Sequence, residues 1–306
     1  MTDILIIGTG ALATLFAARL TSSGHRITML GTWPEGLSAL RINGARMTDA
    51  NGGEKKFSVH VTDDPKECRG AKYAIVLVKS WQTERAACQL KECLADDGLA
   101  ITLQNGLGNR EILVKELGKS RVALGTITIG ATLLSPGLVR AGGDGTISIE
   151  THPAIGPIKE ALKSAKFKVD VVKDALSIVW SKLIINAAIN PLTALLRVPN
   201  GELLKSPAAR ELMCALAKEA ASVAFAEKAN LPFRDPIAFV EDVARKTAGN
   251  HSSMLQDVQR GAPTEIDAIC GAVVRAGQRH HIQTPINYAC WQLVLALSPE
   301  GNHFPK

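Results

Sequence analysis

Residues 3–24 constrain the fold of this chain more than any other stretch. They read DILIIGTGALATLFAARLTSSG, an apolar strand, a glycine turn and an amphipathic helix, followed by a second strand from Arg26 to Leu30. That order is the pattern of a dinucleotide-binding βαβ unit. Gly8 permits the tight turn after the strand, and Gly10 lets the backbone approach a pyrophosphate, whose charge suits the free amides and positive dipole end of a helix starting near Ala11. Ala13 stands where a third glycine is usual and is still small enough for close helix–strand packing.

The rest of the chain divides near residue 170. Before it, Tyr73 to Lys79 and Ala100 to Gln104 are continuous apolar strands separated by a helical stretch from Thr83 to Leu94. Continuous rather than alternating hydrophobicity implies strands covered on both faces. Arg121 to Thr128 adds a strand, and Leu138 to Ile149, with Gly142, Gly143 and Gly145, reads as a hairpin. Beyond Asp174 apolar residues recur at helical spacing through Asp174 to Leu196, Pro207 to Ala229, Pro236 to Thr247, Ser252 to Arg260, Pro263 to Gln278 and Pro285 to Leu297. The expected fold class is therefore α/β: a Rossmann-type doubly wound parallel sheet domain over residues 1–170, then an all-helical substrate and catalytic domain over 171–306.

Composition narrows the function classes. No uninterrupted apolar run reaches the roughly 18 residues that span a bilayer, and the first strand begins at residue 3, so a cytoplasmic protein with no membrane association is expected. The six cysteines form no C-x-x-C pair, which argues for buried free thiols and against a metal site. The net charge of +6 is spread along the chain without a basic run interleaved with aromatics, so a small anionic ligand is expected and nucleic acid is not.

Within the helical half, WSKLIINAAINPLTAL carries Lys182, Asn186 and Asn190 four residues apart in otherwise apolar surroundings. At 3.6 residues per turn such positions share one face, with a drift of about 40° per step. An ammonium there needs an internal partner or an anionic ligand, unless it reaches solvent along its own stem. Two strand ends are also polar, VKSWQT after Val78 and QNGLGN after Leu103. Ligands of open α/β sheets bind beyond such ends, so Lys79, Gln82, Gln104 and Asn105 are placed to face the nicotinamide half of a dinucleotide. Asn105-Gly106 also has the composition of an ordinary tight turn. In NHSSMLQDVQRGAPTEIDAICG, Asn250 and Ser253 can share a helical face near its start. Pro263 suits the first turn of the next helix and puts Glu265 inside that turn, where it can also complement the dipole.

Taken together, GTGALA, VKSWQT, NGLGN, WSKLIINAAINPLTAL, VPNGEL and SSMLQDVQRGAPTEID resemble the motifs of the ketopantoate reductase (2-dehydropantoate 2-reductase) family, in order and over essentially the whole chain. The resemblance implies NADPH-dependent reduction of 2-dehydropantoate to (R)-pantoate, a step of pantothenate and coenzyme A biosynthesis, with a small 2-oxo acid as partner and a monomer or homodimer as the assembly. It implies Lys182 as catalytic proton donor and Asn186, Asn190, Asn200 and Ser253 as substrate contacts, with Asn250 a further residue of the site. Gly8, Thr9, Gly10, Ala11, Leu12, Ala13, Lys79, Asn105 and Ala131 would contact the cofactor, Asn105 touching both ligands. Glu265 would stand near the cofactor ribose and the lysine.

One position departs from the family. After the second strand the chain reads Leu30, Gly31, Thr32, Trp33, with neither a basic residue for a 2′-phosphate nor an acidic one for an NAD ribose. NADPH rather than NADH remains the expected cofactor, with Thr32 bonding the phosphate and charge supplied from elsewhere, Arg41 being the candidate. The competing functions are a dehydrogenase for 3-hydroxyisobutyrate or another branched 2-oxo or hydroxy acid, and a dinucleotide-sensing regulator without turnover.

Overall fold

The structure, a computed structural model, describes residues 1–49 and 52–297. It forms two compact units, one of residues 1–104 and 109–175 and another of 105–108 with the chain from 176 onward.

The first unit begins with β1 (Asp3–Ile7), α1 (Ala11–Ser22), β2 (Arg26–Leu30), α2 (Pro34–Asn43), β3 (Ala45–Thr48), β4 (Glu54–Phe57), β5 (His60–Thr62) and β6 (Ala71–Val76). It continues through α3 (Thr83–Cys93), β7 (Leu94–Thr102), α4 (Asn109–Leu117), β8 (Val122–Ile127), β9 (Ala131–Ser135), β10 (Leu138–Ala141), β11 (Thr146–Glu150), α5 (Gly156–Ser164) and β12 (Lys168–Val172). The main sheet has the order β12-β11-β8-β7-β6-β1-β2-β5, and its strands from β8 to β5 are all parallel. Strand β11 joins antiparallel to β8, with β12 parallel beyond it.

Successive side chains of a strand point to opposite faces, and here both faces are covered. Ile4 and Ile6 pack with Leu15, Phe16 and Leu20 of α1, whereas Leu5 and Ile7 join Ala86, Ala87 and Leu90 of α3 in a separate core. The direction of chain progression reverses between β1 and β6, which is where a doubly wound sheet opens a crevice at its carboxyl edge.

The hairpin expected over Leu138 to Ile149 is not formed. Strand β10 instead pairs with β9 and β3 in a small second sheet, β4-β3-β10-β9, while β11 belongs to the main sheet. The three glycines carry the chain from one sheet to the other. Gly142 bonds the carbonyl of Gly130, and Gly145 lies so close to the backbone of Thr128 and Ile129 that a Cβ would not fit.

The second unit is helical: α6 (Ala175–Leu196), α7 (Glu202–Lys205), α8 (Pro207–Ala226), α9 (Pro236–Lys246), α10 (Ser253–Gln259), a π-helical turn Asp267–Gly271 leading into α11 (Ala272–Arg279), and α12 (Pro285–Leu297). Helix starts follow local chemistry. Pro207 and Pro236 occupy first-turn positions where no amide is needed, and Ser206 and Asp235 accept amide bonds of the following turn. Helix α6 forms the centre. Trp180, Leu183, Ile184, Ala187 and Ala188 pack with Met213, Leu216, Ala217, Ala220 and Val223 of α8 in one core. Helix α6 is long and apolar enough to cross a membrane by length and composition, yet 72% of that stretch is buried within the protein. Four of the six free cysteines are buried, while Cys88 is exposed and Cys214 partly so.

Candidate active site

In the first unit, β1 ends at Gly8, whose φ of +126° suits glycine and whose amide donates to the Leu30 carbonyl at 2.8 Å. Gly10 caps α1 without any side-chain bond, and no acidic residue stands in the first turn. A Cβ built on Gly10 would meet no atom within 4 Å. The result is an open set of amides at a helix N-terminus, free of competing carboxylate, which fits the pyrophosphate of a dinucleotide. Thr9 is buried against Gly31, and Ala13 is fully buried in the core below the turn. Ala11 and Leu12 are half-buried at the start of α1, Lys79 is half-buried just past β6, and Ala131 opens β9.

Two side chains expected at the nucleotide are engaged elsewhere. Gln104 is buried, donating from Nε2 to the Val78 carbonyl (3.0 Å) and Thr83 Oγ1 (2.8 Å) and accepting from Thr102 Oγ1 (3.0 Å). It braces the loops after β6 and β7 instead of facing a ligand. Arg41 donates to the Val61 carbonyl (3.2 Å) and to Asp63 Oδ1 (2.8 Å). That hydrogen bond holds the Asp63 carboxyl below its usual range, and the pair is exposed, so Arg41 is engaged by Asp63 without being withdrawn from water. Thr32 is exposed directly beyond β2.

In the second unit, Lys182 lies on α6 with its side chain largely withdrawn from water. Burial pushes its ammonium down to about 8, and the Glu265 carboxylate opposes the shift. Glu265 is itself buried and accepts from Asn105 Nδ2 at 3.0 Å. Asn105, Glu265 and Lys182 thus form one cluster from three distant stretches of chain. Gly106 follows Asn105 with φ +83°, and a Cβ there would collide with the Ala268 carbonyl. Farther along α6, Asn186 is half-buried and Asn190 buried. Thr193 Oγ1 bonds the Asn190 carbonyl (2.9 Å) and Ser252 Oγ (2.8 Å), which ties α6 to the start of α10. Ser252 also accepts the Leu255 amide as N-cap, leaving Ser253 exposed in the first turn.

Asn200 is buried beside Asn250, its amide donating to the Asn250 carbonyl at 3.0 Å. Its Nδ2 donates to Thr247 Oγ1 (2.9 Å), while its Oδ1 is buried and finds no partner among the described residues. A buried acceptor left unpaired costs about 1–3 kcal/mol, so this oxygen calls for a donor that the described residues do not supply.

Two local expectations are corrected. Asn250 and Ser253 do not share a helical face, because Asn250 sits in the turn before α10 and Ser252 caps the helix. Pro263 does not begin a helix. Pro263 and Thr264 are irregular, and Glu265 precedes the helical residues, which open directly into the π-helical turn. Thr193 extends the Lys182, Asn186, Asn190 stripe by three residues and bonds Ser252, a pairing that only distant parts of the chain can make. Among the described residues, no group of three His, Cys, Asp or Glu is arranged to hold a metal ion.

Two family models match this chain, ketopantoate reductase PanE/ApbA over residues 4–154 and its C-terminal domain over residues 174–298. A 2-dehydropantoate 2-reductase of Halobacterium salinarum is 32% identical over 304 residues, covering 97% of this chain and 99% of its own. The chain belongs to the ketopantoate reductase family. A PanE/ApbA family ketopantoate reductase from Ralstonia eutropha JMP134 superposes with a TM-score of 0.91 at 28% identity, covering 99% of this chain and 100% of the other. D-mandelate dehydrogenase, solved with NADH and anilino(oxo)acetate, has the same fold at a TM-score of 0.91 and 24% identity, covering 98% and 99%. As in other ketopantoate reductases, a mostly parallel sheet is combined with a helical carboxy-terminal half.

Proposed function

We propose that this chain is an NADPH-dependent 2-dehydropantoate 2-reductase, forming (R)-pantoate for pantothenate and coenzyme A biosynthesis. The observation that carries this reading is the Lys182 ammonium, brought to about 8 on an otherwise apolar helix with Glu265 beside it. A general acid works best when its pKa lies near the operating pH. A bound nicotinamide dinucleotide supplies the hydride that reduces the ketone carbon. Lys182 stabilises the charge gathering on the ketone oxygen and passes its proton there. Glu265, held by Asn105, keeps the lysine protonated near neutral pH.

The uncharged amides suit a substrate bearing a carboxylate and a hydroxyl. Asn186 and Asn190 continue the lysine's stripe, Asn200 offers its unpaired Oδ1 to a hydroxyl donor, and Ser253, with Asn250 nearby, completes the polar set. An analogue without the hydroxyl would leave Asn200 unpaired and be rejected for that reason. On the nucleotide side, the Gly8–Ala13 turn holds the pyrophosphate, Thr32 bonds the 2′-phosphate, and Lys79, Asn105 and Ala131 contact the remainder. With Arg41 engaged by Asp63, the preference for NADPH over NADH is expected to be modest.

The test is dinucleotide oxidation, followed by absorbance, with 2-dehydropantoate and a panel of branched and aromatic 2-oxo acids. Highest kcat/KM on 2-dehydropantoate with NADPH supports the proposal. Faster turnover of another 2-oxo acid would reassign the substrate, and binding of the dinucleotide without any turnover would make the chain a sensor.

A further inference from the structure

A π-helical turn holds one residue more than an α-helical turn, which releases a carbonyl from the helical ladder and recurs at functional sites. In the turn Asp267–Gly271, the Ala268 carbonyl accepts the amide of Leu107 at 3.0 Å. Gly106 packs against the same carbonyl so closely that only glycine fits. The turn therefore docks the 105–108 loop backbone to backbone, and that loop carries Asn105, whose Nδ2 reaches Glu265 two residues before the turn.

A second bond from the turn goes to α6. Pro191 lies inside that helix, and having no amide it leaves the Ala187 carbonyl without its i+4 donor. Cys270 Sγ reaches that carbonyl at 3.9 Å, and burial keeps the thiol protonated, so it is the donor of this weak bond. The proline falls inside the polar stripe, with Lys182 and Asn186 on one side of the released carbonyl and Asn190 on the other.

We propose that the π-helical turn Asp267–Gly271 is the positioning element of the Lys182 site. Through the Ala268 carbonyl it sets Asn105 against Glu265, and through the Cys270 thiol it supplies a donor to the Ala187 carbonyl that Pro191 leaves open on α6. Gly106 and Cys270 are then positioning residues for a reaction in which neither touches the substrate. This rests on the reading of Lys182 as proton donor.

The test follows two readouts in the full chain: the Lys182 titration, by NMR of ¹³Cε-labelled lysine assigned with Lys182→Ala, and kcat for reduction of 2-dehydropantoate. Gly106→Ala should move the Lys182 midpoint downward, as Glu265→Gln does, and lower kcat about tenfold to a hundredfold, the usual cost of a misplacement of about 1 Å. In an Asn105→Ala background the same substitution should change kcat by less than about twofold, because its effect passes through Asn105. Cys270→Ala should displace the same midpoint, and Pro191→Ala, which returns an amide donor to Ala187, should make Cys270→Ala nearly silent. Folded variants that lower Tm but leave both midpoint and kcat at parent values, or effects that add fully in the paired backgrounds, would overturn the proposal. If Gly106→Ala does not fold, the Cys270 and Pro191 pair decides. If the parent turns over no 2-oxo acid, the functional reading fails and the Lys182 midpoint alone decides the positioning role.

Discussion

The Gly8–Ala13 turn and the Lys182 cluster both accommodate charge, by opposite means. The turn uses backbone amides, bears no ionisable side chain and leaves open space above Gly10. The cluster uses side chains packed into a core, an ammonium, a carboxylate and an amide, from Lys182, Glu265 and Asn105. A site made of backbone is indifferent to pH and is damaged by adding atoms. A site made of buried side chains titrates and is damaged by removing them.

The largest expected effect is at the cluster. Lys182→Ala should lower kcat at least about a hundredfold, the usual cost of losing a proton donor or oxyanion partner. Dinucleotide affinity, read by fluorescence titration, should be unchanged. Activity within a few-fold of the parent would remove Lys182 from the chemistry and dissolve the contrast.

Adding atoms is the converse test. Gly10→Val should weaken dinucleotide binding about tenfold to a hundredfold, because one or two charge-assisted bonds of the close approach are lost. It should still fold, with a loss of Tm no larger than that of a less favourable N-cap residue, since a Cβ there meets no atom of the described residues within 4 Å. A large fall in Tm with affinity retained would show that the glycine serves the fold alone.

Stability should carry the same signature. The folded-state value for Lys182, about 8, lies below its ordinary 10.5. Between those pH values the unfolded chain binds a proton that the folded chain does not, so stability rises with pH across the window. Relative to Lys182→Met, the parent should gain about 2 kcal/mol from pH 8 to 10.5, measured by denaturant midpoints. A gap that stays constant with pH would mean the lysine is as well solvated folded as unfolded. Gly10→Val should show no such window.

The smallest effect concerns the end of β2. Thr32→Arg should widen the NADPH over NADH ratio in kcat/KM by about tenfold through bidentate contact with the 2′-phosphate. Thr32→Glu should reverse the ratio. No response to either would show that this strand end does not read the 2′ position.

Much of this architecture was legible from local pattern. The strand Arg26–Leu30 and the helices opened by Pro207, Pro236 and Pro285 are signalled by residues within or beside them. What escaped depends on distant partners. The glycines at 142, 143 and 145 read as a hairpin turn, but they carry the chain between two sheets whose other strands lie elsewhere in the sequence. Pro263 has the composition of a helix start, yet helical residues begin only after Glu265, at a π-helical turn whose Ala268 carbonyl bonds Leu107, 161 residues earlier. The lysine stripe showed that Lys182 needed a partner. The family resemblance puts Glu265 near that lysine, and the fold adds the Asn105 bond to Glu265 and the bond between Arg41 and Asp63.

On the function proposed here, Lys182 delivers the proton and Glu265 sets its acidity. This is tested most directly by the pH dependence of kcat/KM for 2-dehydropantoate in the parent and in Glu265→Gln. The parent profile should fall as pH rises through about 8, where the ammonium is lost. Removing the Glu265 charge removes the influence that raises the Lys182 pKa, so the fall should move to lower pH in Glu265→Gln. A parent profile that stays flat to pH 9.5, or a fall that moves upward in the variant, would contradict the account.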